Sequence, residues 1–224
     1  MRDFLYRNMS LPNIFDLLHS KIVRKRQSKD VFEPNGLICF CGVQGSGKTL
    51  SAVLYVHSLM QQYPLCKVIT NLDLNPDMWD LSRVSPYTGV KQLHDSDNGC
   101  YGLIFLLDEI QLEFNSLESK QMTTPIFEVV CQQRKQRKMI VGTTQVFGRL
   151  AKPFREQFKF VVLCDNLFGM FFRQRIYTAE NVATEDDVRT ELSPHGSAFY
   201  IPHPADFALY DTLAVVSRLE RING

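Results

Sequence analysis

Residues 42–49 read G-V-Q-G-S-G-K-T and match the phosphate-binding pattern G-x-x-x-x-G-K-[ST]. The glycines allow the backbone to form a concave nest whose N–H groups face a polyphosphate. Lys48 is expected to reach the β- and γ-phosphates, and Thr49 is expected to hold Mg²⁺. The pattern therefore predicts a site for ATP and Mg²⁺. The residues expected to contact the nucleotide are Gly42, Gln44, Gly45, Ser46, Gly47, Lys48, Thr49 and Leu50.

The segments on either side of this loop are those that a phosphate-binding loop requires. Residues 37–41, L-I-C-F-C, predict a short apolar strand, and residues 49–62 predict a helix with few helix-breaking residues. Such a helix points the positive end of its dipole at a bound anion. The alternative is a glycine-rich turn that binds nothing, and the flanking strand and helix favour the nucleotide site over it.

Two acidic residues, Asp108 and Glu109, follow the apolar run L-I-F-L-L at residues 103–107. A continuous apolar run of this length predicts a strand that is buried on both faces. The carboxyl end of such a strand is where an open α/β sheet binds its ligand. We therefore expect Asp108 to hold Mg²⁺ through water and Glu109 to polarise the water that attacks the γ-phosphate. The alternative is an acidic strand end without a catalytic role.

A polar residue, Gln145, closes the segment V-G-T-T-Q at the end of a further strand predicted over residues 139–143. Its position fits a sensor that hydrogen-bonds the attacking water or the γ-phosphate, and the alternative is an ordinary amide at a strand end. The acidic pair favours an ATPase over other nucleotide-binding classes. The base-reading sequence N-K-x-D of GTPases is absent, and the basic segments do not lie where a small-molecule kinase has its Arg-rich lid.

Basic clusters lie on both sides of that strand, R-K-Q-R-K at residues 134–138 and a second cluster within residues 149–155. An Arg supplied across a subunit boundary stabilises the charge that develops on the γ-phosphate and contributes roughly 10³–10⁵ in rate where it is known. Arg134 and Arg137 are the candidates in the first cluster. The alternatives are a solvated helix surface and contact with DNA phosphates.

Composition and charge limit the class of protein. The 224 residues have an apolar share of 45%, typical of a globular protein with a full core, and a formal net charge of +1. Nucleic-acid binding would therefore depend on local basic patches. The sequence shows no signal peptide and no run of about twenty apolar residues. The six cysteines form no C-x-x-C pair and are expected to be buried thiols of a reducing compartment. This predicts a cytoplasmic protein, which would lie in the host cytoplasm if the protein is viral. Partners would associate it with the membrane or the virion.

The chain is predicted to have two parts, a basic amphipathic arm at residues 1–30 and a P-loop ATPase domain at residues 31–224. Alternating strands and helices imply a three-layer α/β fold with a mostly parallel sheet and an antiparallel hairpin near the C-terminus. Residues 71–98 are predicted to be an irregular surface excursion that contains Trp79. The other predicted elements are strands at 67–70, 160–164, 170–177 and 197–201, helices at 124–136 and 205–218, a helical turn at 153–157 and a loop at 180–194.

These segments together resemble the FtsK/HerA superfamily of DNA-pumping ATPases, and within it the Zot-like filamentous-phage assembly ATPases and the viral genome-packaging ATPases. Four motifs carry the resemblance: the loop G-x-x-G-S-G-K-T, the strand end L-L-D-E-I, the helix end Q-Q-R-K-Q-R-K and the strand end G-T-T-Q. The resemblance covers residues 35–177. The later sequence Tyr210-Asp211-Thr212 adds to the likeness to the Zot-like group.

The resemblance implies a RecA-like P-loop fold of the additional-strand type, with one strand between those that carry the loop and the acidic pair. It also implies a homo-oligomeric ring, commonly a hexamer, with ATP at subunit boundaries and DNA gripped in the pore. By the family pattern, Arg134 or Arg137 is the arginine finger that reaches the ATP site of the neighbouring subunit. Lys152 or Arg155 is a phosphate sensor that also acts on the neighbouring subunit. Capsid or membrane-associated assembly proteins are further expected partners.

Zot-like proteins usually continue into a transmembrane helix and an outer domain, and the sequence here shows neither. This favours a soluble packaging or assembly motor, or a soluble fragment of a longer protein. Three functions stay open: a motor that translocates or packages DNA in virion assembly or mobile-element transfer, an assembly or secretion ATPase that acts on protein, and a nucleotide-gated switch. The near-neutral charge slightly favours the second, and Glu109 counts against the third because a switch needs no dedicated base.

Overall fold

The computed structural model describes residues 31–114, 136–183 and 193–211. The predicted arm at residues 1–30 and all but the last residue of the predicted helix at 124–136 lie outside the described residues. Twelve regular elements are found in this part of the chain. The strands are β1 Leu37–Cys41, β2 Lys67–Thr70, β3 Val84–Pro86, β4 Leu103–Leu107, β5 Lys138–Thr144, β6 Phe158–Leu167, β7 Phe171–Thr178 and β8 Gly196–Tyr200, and the helices are α1 Lys48–Gln62, α2 Lys91–Asp95, α3 Lys152–Arg155 and α4 Ala179–Ala183.

The eight strands form one sheet in the order β3-β2-β4-β5-β1-β6-β7-β8. The first six strands in this order pair in parallel, and β7 and β8 continue the sheet in antiparallel pairing. Strand β5 lies between β1 and β4, so the additional-strand arrangement that the family resemblance implied is confirmed. The mostly parallel sheet and the hairpin of β6 and β7 are confirmed as well. The carboxyl ends of β1, β4 and β5 therefore meet at one edge of the sheet.

The centre of the sheet is buried on both faces. Every residue of β1, β4 and β5 is buried, and for β4 the continuous apolar run predicted this. Helix α1 covers one face through Ala52, Val53 and Val56, none of which is exposed. An aromatic cluster covers the other face, where the rings of Phe114 and Phe154 stack with their centroids 4.0 Å apart. This packing holds the strand ends, and the loops that follow them, in fixed positions.

The region predicted to be irregular, residues 71–98, contributes β3 to the edge of the sheet and contains α2. Trp79 is buried, and its indole N–H donates a hydrogen bond to the Leu209 carbonyl at 2.9 Å. The surface-excursion prediction was therefore wrong for these parts. The three-residue strand β3 pairs through its backbone with β2, and it has no apolar alternation that a sequence pattern would reveal.

Two further elements differ from prediction. Helix α4 covers residues 180–183 of the loop predicted at 180–194, and residues 184–192 lie outside the described residues. A 3₁₀ helix, Pro204–Leu209, stands at the start of the predicted last helix, and its first turn is capped by the side chains of His203 and Asp206. The described part of the chain ends two residues later, so the rest of that helix is not tested.

The cysteines are free thiols wherever the structure describes them. Cys39, Cys41, Cys66 and Cys164 are buried as predicted, but Cys100 is exposed because it lies in a turn before β4. Burial raises the pKa of the Cys66 and Cys164 thiols to about 12, so both remain protonated at neutral pH. Among the described residues no helix is both long and apolar enough to cross a bilayer.

Candidate active site

The loop between β1 and α1 has the backbone that a phosphate nest requires. Gly45 and Gly47 adopt positive φ angles of 78° and 82°, which glycine reaches without steric cost. Gly47 caps α1, and no side chain caps the N–H groups of the helix's first turn. The hydroxyl of Ser46 is buried and has no hydrogen-bond partner among the described residues. Free backbone donors and a free hydroxyl at a helix N-terminus suit a phosphate group.

Two contacts join the start of α1 to the end of β4. The Thr49 hydroxyl donates a hydrogen bond to Asp108 Oδ1 at 2.9 Å, and Lys48 Nζ lies 3.3 Å from Glu109 Oε1. Glu109 adopts the left-handed conformation (φ 49°, ψ 51°), which is uncommon outside glycine and recurs at functional sites. The structure therefore brings together the four residues that the sequence predicted to handle Mg²⁺ and the triphosphate.

Two residues that the sequence analysis did not select, Thr143 and Asn71, hold the acidic pair in place. Thr143 Oγ1 donates to Asp108 Oδ1 at 2.6 Å and accepts the Glu109 N–H at 3.0 Å. Asn71 Oδ1 accepts the Asp108 N–H at 2.8 Å, and its Nδ2 donates to the Asp108 carbonyl at 3.0 Å. Both residues stand at or just beyond the carboxyl end of a parallel strand, and this position is the signal that would have found them.

Replacing Thr143 with Val is expected to lower ATP hydrolysis by up to about a hundredfold, because Asp108 and Glu109 lose the hydroxyl that aligns them. Steady-state ATPase rates measure the effect. The matched control is Thr144→Val, since that buried hydroxyl bonds only the Val146 carbonyl, among the contacts described, at 3.2 Å. Equal losses in the two variants would contradict the aligning role.

Gln145 follows β5 directly, beside the phosphate loop. The Gly42 N–H donates to the carbonyl of Thr144 at 3.3 Å, which ties the two segments together. The Gln145 side chain is exposed and lines a cavity with residues of the loop. Its position is compatible with the predicted sensor role, which stays a prediction.

Of the four predicted trans-acting residues, Arg137 lies far from this chain's own loop. Arg137 stands at the opposite end of β5, where its guanidinium donates to the Phe32 carbonyl at 2.7 Å. With a rise of about 3.3 Å per residue, it is roughly 20 Å from the loop edge of the sheet. Lys152 is exposed and Arg155 half-buried in α3. Arg134 lies outside the described residues, and action on a neighbouring subunit stays a prediction for all four.

The hairpin of β6 and β7 and the strand β8 support the phosphate loop from the side. The ring of Phe172 stacks on that of Tyr200 with centroids 5.4 Å apart. The Tyr200 hydroxyl is hydrogen-bonded to the hydroxyl of Ser51 in the first turn of α1, at 2.9 Å. Asn166 Nδ2 donates to the carbonyl of Gly45 at 3.2 Å. The loop is therefore held by residues more than a hundred positions away in the sequence.

Replacing Gly47 with Ala is expected to destabilise the fold more than replacing Gly45. Both positions have positive φ, but a Cβ on Gly47 would lie 2.2 Å from Phe172 Cδ1, whereas a Cβ on Gly45 meets nothing within 4 Å. The clash adds about 1–3 kcal/mol to the strain that both variants share. Urea unfolding of the two variants measures the difference in the free energy of unfolding. Equal losses would show that Phe172 does not press on the loop.

Burial raises the pKa of two groups beside the site. The Cys41 thiol, at the end of β1, has a pKa well above its usual value because it is buried and hydrogen-bonded to Cys39. Burial, with a smaller contribution from the Asp108 carboxylate, raises the pKa of Tyr210 to about 12. Tyr210 belongs to the Y-D-T sequence noted above. Both groups stay neutral at physiological pH.

A glycine nest between β1 and α1, an acidic pair after β4 and an additional strand between them define a P-loop NTPase. The family described as zonular occludens toxin (Zot) matches residues 37–215, and the chain belongs to this family. The Zot-like resemblance drawn from the motifs is thereby confirmed. A comparison with curated protein sequences gives no match.

Solved structures of two kinds share the fold. The N-terminal domain of zonular occludens toxin from Neisseria meningitidis superposes with a TM-score of 0.53 at 17% identity, over 79% of this chain and 98% of that one. The DNA-packaging ATPase B204 of Sulfolobus turreted icosahedral virus gives a TM-score of 0.51 at 12% identity, over 66% and 95%. The genome-packaging NTPase B204 of Sulfolobus turreted icosahedral virus 2, in complex with ATP-gammaS, gives a TM-score of 0.50 at 15% identity, over 66% of this chain and 94% of that one.

Proposed function

We propose that this protein is a Mg²⁺-dependent ATPase that moves or packages DNA during virion assembly or mobile-element transfer. One observation carries the ATPase part: Lys48 and Thr49 contact Glu109 and Asp108 across the carboxyl edge of the sheet. These are a phosphate-binding cation, a metal-binding hydroxyl and two carboxylates within hydrogen-bond reach. The combination supplies each protein group that P-loop hydrolysis needs within one subunit.

The chemistry of each residue follows from its contacts. Lys48 is paired with Glu109 in this structure, so it must exchange that carboxylate for phosphate oxygens when the nucleotide binds. The Glu109 Oε1 atom is then free to accept a proton from the attacking water, while Oε2 accepts a hydrogen bond from Gln111 Nε2. Thr49 and Asp108 would hold Mg²⁺, which neutralises charge on the phosphates when bound. Thr143 holds the Asp108 carboxylate and the Glu109 N–H, and Asn71 holds the Asp108 backbone, so little reorganisation is needed at the reaction step.

The DNA part of the proposal has other support. The chain belongs to the Zot family, and the B204 structures that share its fold are described as a DNA-packaging ATPase and a genome-packaging NTPase. We propose a homo-oligomeric ring in which a basic residue of one subunit completes its neighbour's site. Such a ring would act in the host cytoplasm with capsid or membrane-associated assembly proteins.

The experiment is an ATPase assay with and without DNA, combined with sizing in the presence of a non-hydrolysable ATP analogue. A DNA motor is expected to hydrolyse ATP faster with DNA and to assemble when the analogue binds. A rate that is equal with and without DNA under every assembly condition would overturn the DNA-motor proposal. A strict monomer would overturn the ring.

The second candidate is an assembly ATPase that acts on protein, such as coat subunits during virion extrusion. The formal net charge of +1 favours it, because a DNA-gripping surface usually carries a marked basic excess. Salt dependence separates the two candidates. Contacts with DNA phosphates make the affinity fall steeply as salt rises, whereas a flat response favours a protein substrate.

A further inference from the structure

A cavity of about 680 Å³ opens beside the phosphate loop, and neither Asp108 nor Glu109 is among the residues that line it. The loop forms one wall, the segment Gln145 to Gly148 a second, and the hairpin of β6 and β7 a third. Its volume is within the range of about 300–1,000 Å³ usual for small-molecule sites. Strands β4 and β6 lie on opposite sides of β1, so the hairpin wall of this cavity and the Asp108–Glu109 pair lie on opposite sides of the loop.

Three charged side chains of the hairpin form a cluster in this cavity: Asp165, Arg173 and Arg175. Asp165 Oδ2 accepts from Arg173 Nε at 3.1 Å, from Arg173 Nη2 at 2.8 Å and from Arg175 Nη2 at 3.0 Å. Each side chain is about one-third exposed, so the cluster is open to a ligand while its geometry is fixed. Arg175 Nε is buried without a hydrogen-bond partner among the described residues.

The cluster lies on one face of the hairpin because of the strand pairing. Asp165 is directly opposite Arg173, and Arg175 is opposite Leu163, two residues before Asp165. Side chains two residues apart point to the same face of a strand, so all four project together. This face also carries Val161 and Tyr177, which pack in the core cluster that α1 does not cover.

The chemistry of the cavity suits a nucleoside better than a phosphate. Apolar side chains of Val146, Phe147 and Leu163 share the lining with the charged cluster. A carboxylate at the centre of the cluster disfavours a second anion, but it accepts hydrogen bonds from hydroxyl and amino groups. A guanidinium that is held by a carboxylate presents a flat face on which a base can stack.

We propose that Asp165, Arg173 and Arg175 form the nucleoside end of the nucleotide site. The base stacks on a guanidinium plane, and Asp165 accepts a hydrogen bond from a ribose hydroxyl or an exocyclic amino group. The P-loop fixes the phosphates next to the cavity, so a single ligand spans both parts. This inference rests on the proposed ATPase function, because it supposes that the P-loop binds the triphosphate.

The test compares ATP with inorganic tripolyphosphate, both with Mg²⁺, by calorimetric titration of the full chain. The wild type is expected to prefer ATP. The double variant Arg173→Lys/Arg175→Lys keeps both positive charges and loses both planar guanidinium groups. Its affinity for ATP is expected to fall about tenfold, because the stacking of a base contributes a free energy of this magnitude. Its affinity for tripolyphosphate is expected to stay unchanged. Lys159→Ala, at the far end of β6, removes an exposed cation from the same hairpin and serves as the control.

Three outcomes would overturn the inference alone. Equal losses for ATP and tripolyphosphate would show that the arginines contact phosphate, and unchanged ATP affinity in the double variant would show that they only stabilise the hairpin. A wild type that binds tripolyphosphate and ATP equally well would also overturn it while leaving the phosphate site intact. A wild type that binds neither compound would overturn the proposed ATPase function itself.

Discussion

Replacing Glu109 with Gln is expected to slow ATP hydrolysis by about 10²–10⁴-fold, the usual contribution of a general base. ATP is expected to bind at least as tightly as to the wild type. Glu109 pairs with Lys48 at 3.3 Å in the structure, so the carboxylate competes with the phosphates for the same ammonium. The neutral amide removes that competitor and also removes a negative charge from beside the triphosphate.

Single-turnover hydrolysis and equilibrium titration with ATP separate the two effects. Glu113→Gln is the matched control, because Glu113 follows Glu109 by one turn and its exposed side chain accepts from the Tyr87 hydroxyl at 3.4 Å, away from Lys48. A wild-type hydrolysis rate in Glu109→Gln would remove Glu109 from the mechanism. A loss of binding that matches the loss of rate would show that Glu109 holds the site together and has no role as the base.

Replacing Lys48 with Ala is expected to weaken binding of Mg·ATP by roughly a hundredfold, since hydrogen bonds to charged groups contribute about 1.5–3 kcal/mol each. Two effects act in the same direction. The variant loses the ammonium that contacts the phosphates, and Glu109 is left without its ion-pair partner next to an incoming polyanion. Hydrolysis is expected to become undetectable.

Calorimetry with Mg·ATP measures the binding, and Lys67→Ala is the control because Lys67 is exposed at the start of β2, on the opposite edge of the sheet. Thermal unfolding is expected to change little in Lys48→Ala, because the ion pair with Glu109 is the polar contact described for this side chain. Unimpaired ATP binding in Lys48→Ala would mean that the glycine loop does not bind triphosphate.

The double variant Lys48→Ala/Glu109→Gln tests the competition directly. If Glu109 weakens ATP binding in Lys48→Ala by repulsion, the second substitution should restore part of the lost affinity. The coupling between the two positions then gives the strength of their interaction in the nucleotide-free state. Strict additivity of the two changes would contradict the exchange of partners proposed for Lys48.

The site residues whose places in the fold could be predicted are those that belong to contiguous sequence motifs. The loop at residues 42–49 and the pair Asp108 and Glu109 each follow an apolar run, and parallel pairing brings the ends of such runs to one edge of the sheet. The fold class was predictable for the same reason. The buried strands β1 and β4 are unbroken apolar runs in the sequence, and the long helix α1 lacks helix-breaking residues.

The parts that were missed depend on partners far along the chain. Asn71 reaches Asp108 across 37 residues, and Ser51 meets Tyr200 across 149. Neither pairing is marked by a hydrophobic periodicity or by a motif in the sequence. Trp79 was expected on the surface because its neighbours are polar. In the structure it is buried, and its indole N–H donates a hydrogen bond to the Leu209 carbonyl.

By itself, the sequence determined the phosphate loop, the acidic pair, the α/β class and the likeness to Zot, because glycine placement and apolar runs act locally. Only the tertiary structure decided that Thr143 holds the Asp108 carboxylate, that Asn71 holds the Asp108 backbone, and that the Phe172 ring lies close to Gly47. It also decided that Asp165, Arg173 and Arg175 form a cluster beside the loop. The physical reason is that strand order and register place these residues together. Both are set by packing across the whole sheet, and no local segment encodes them.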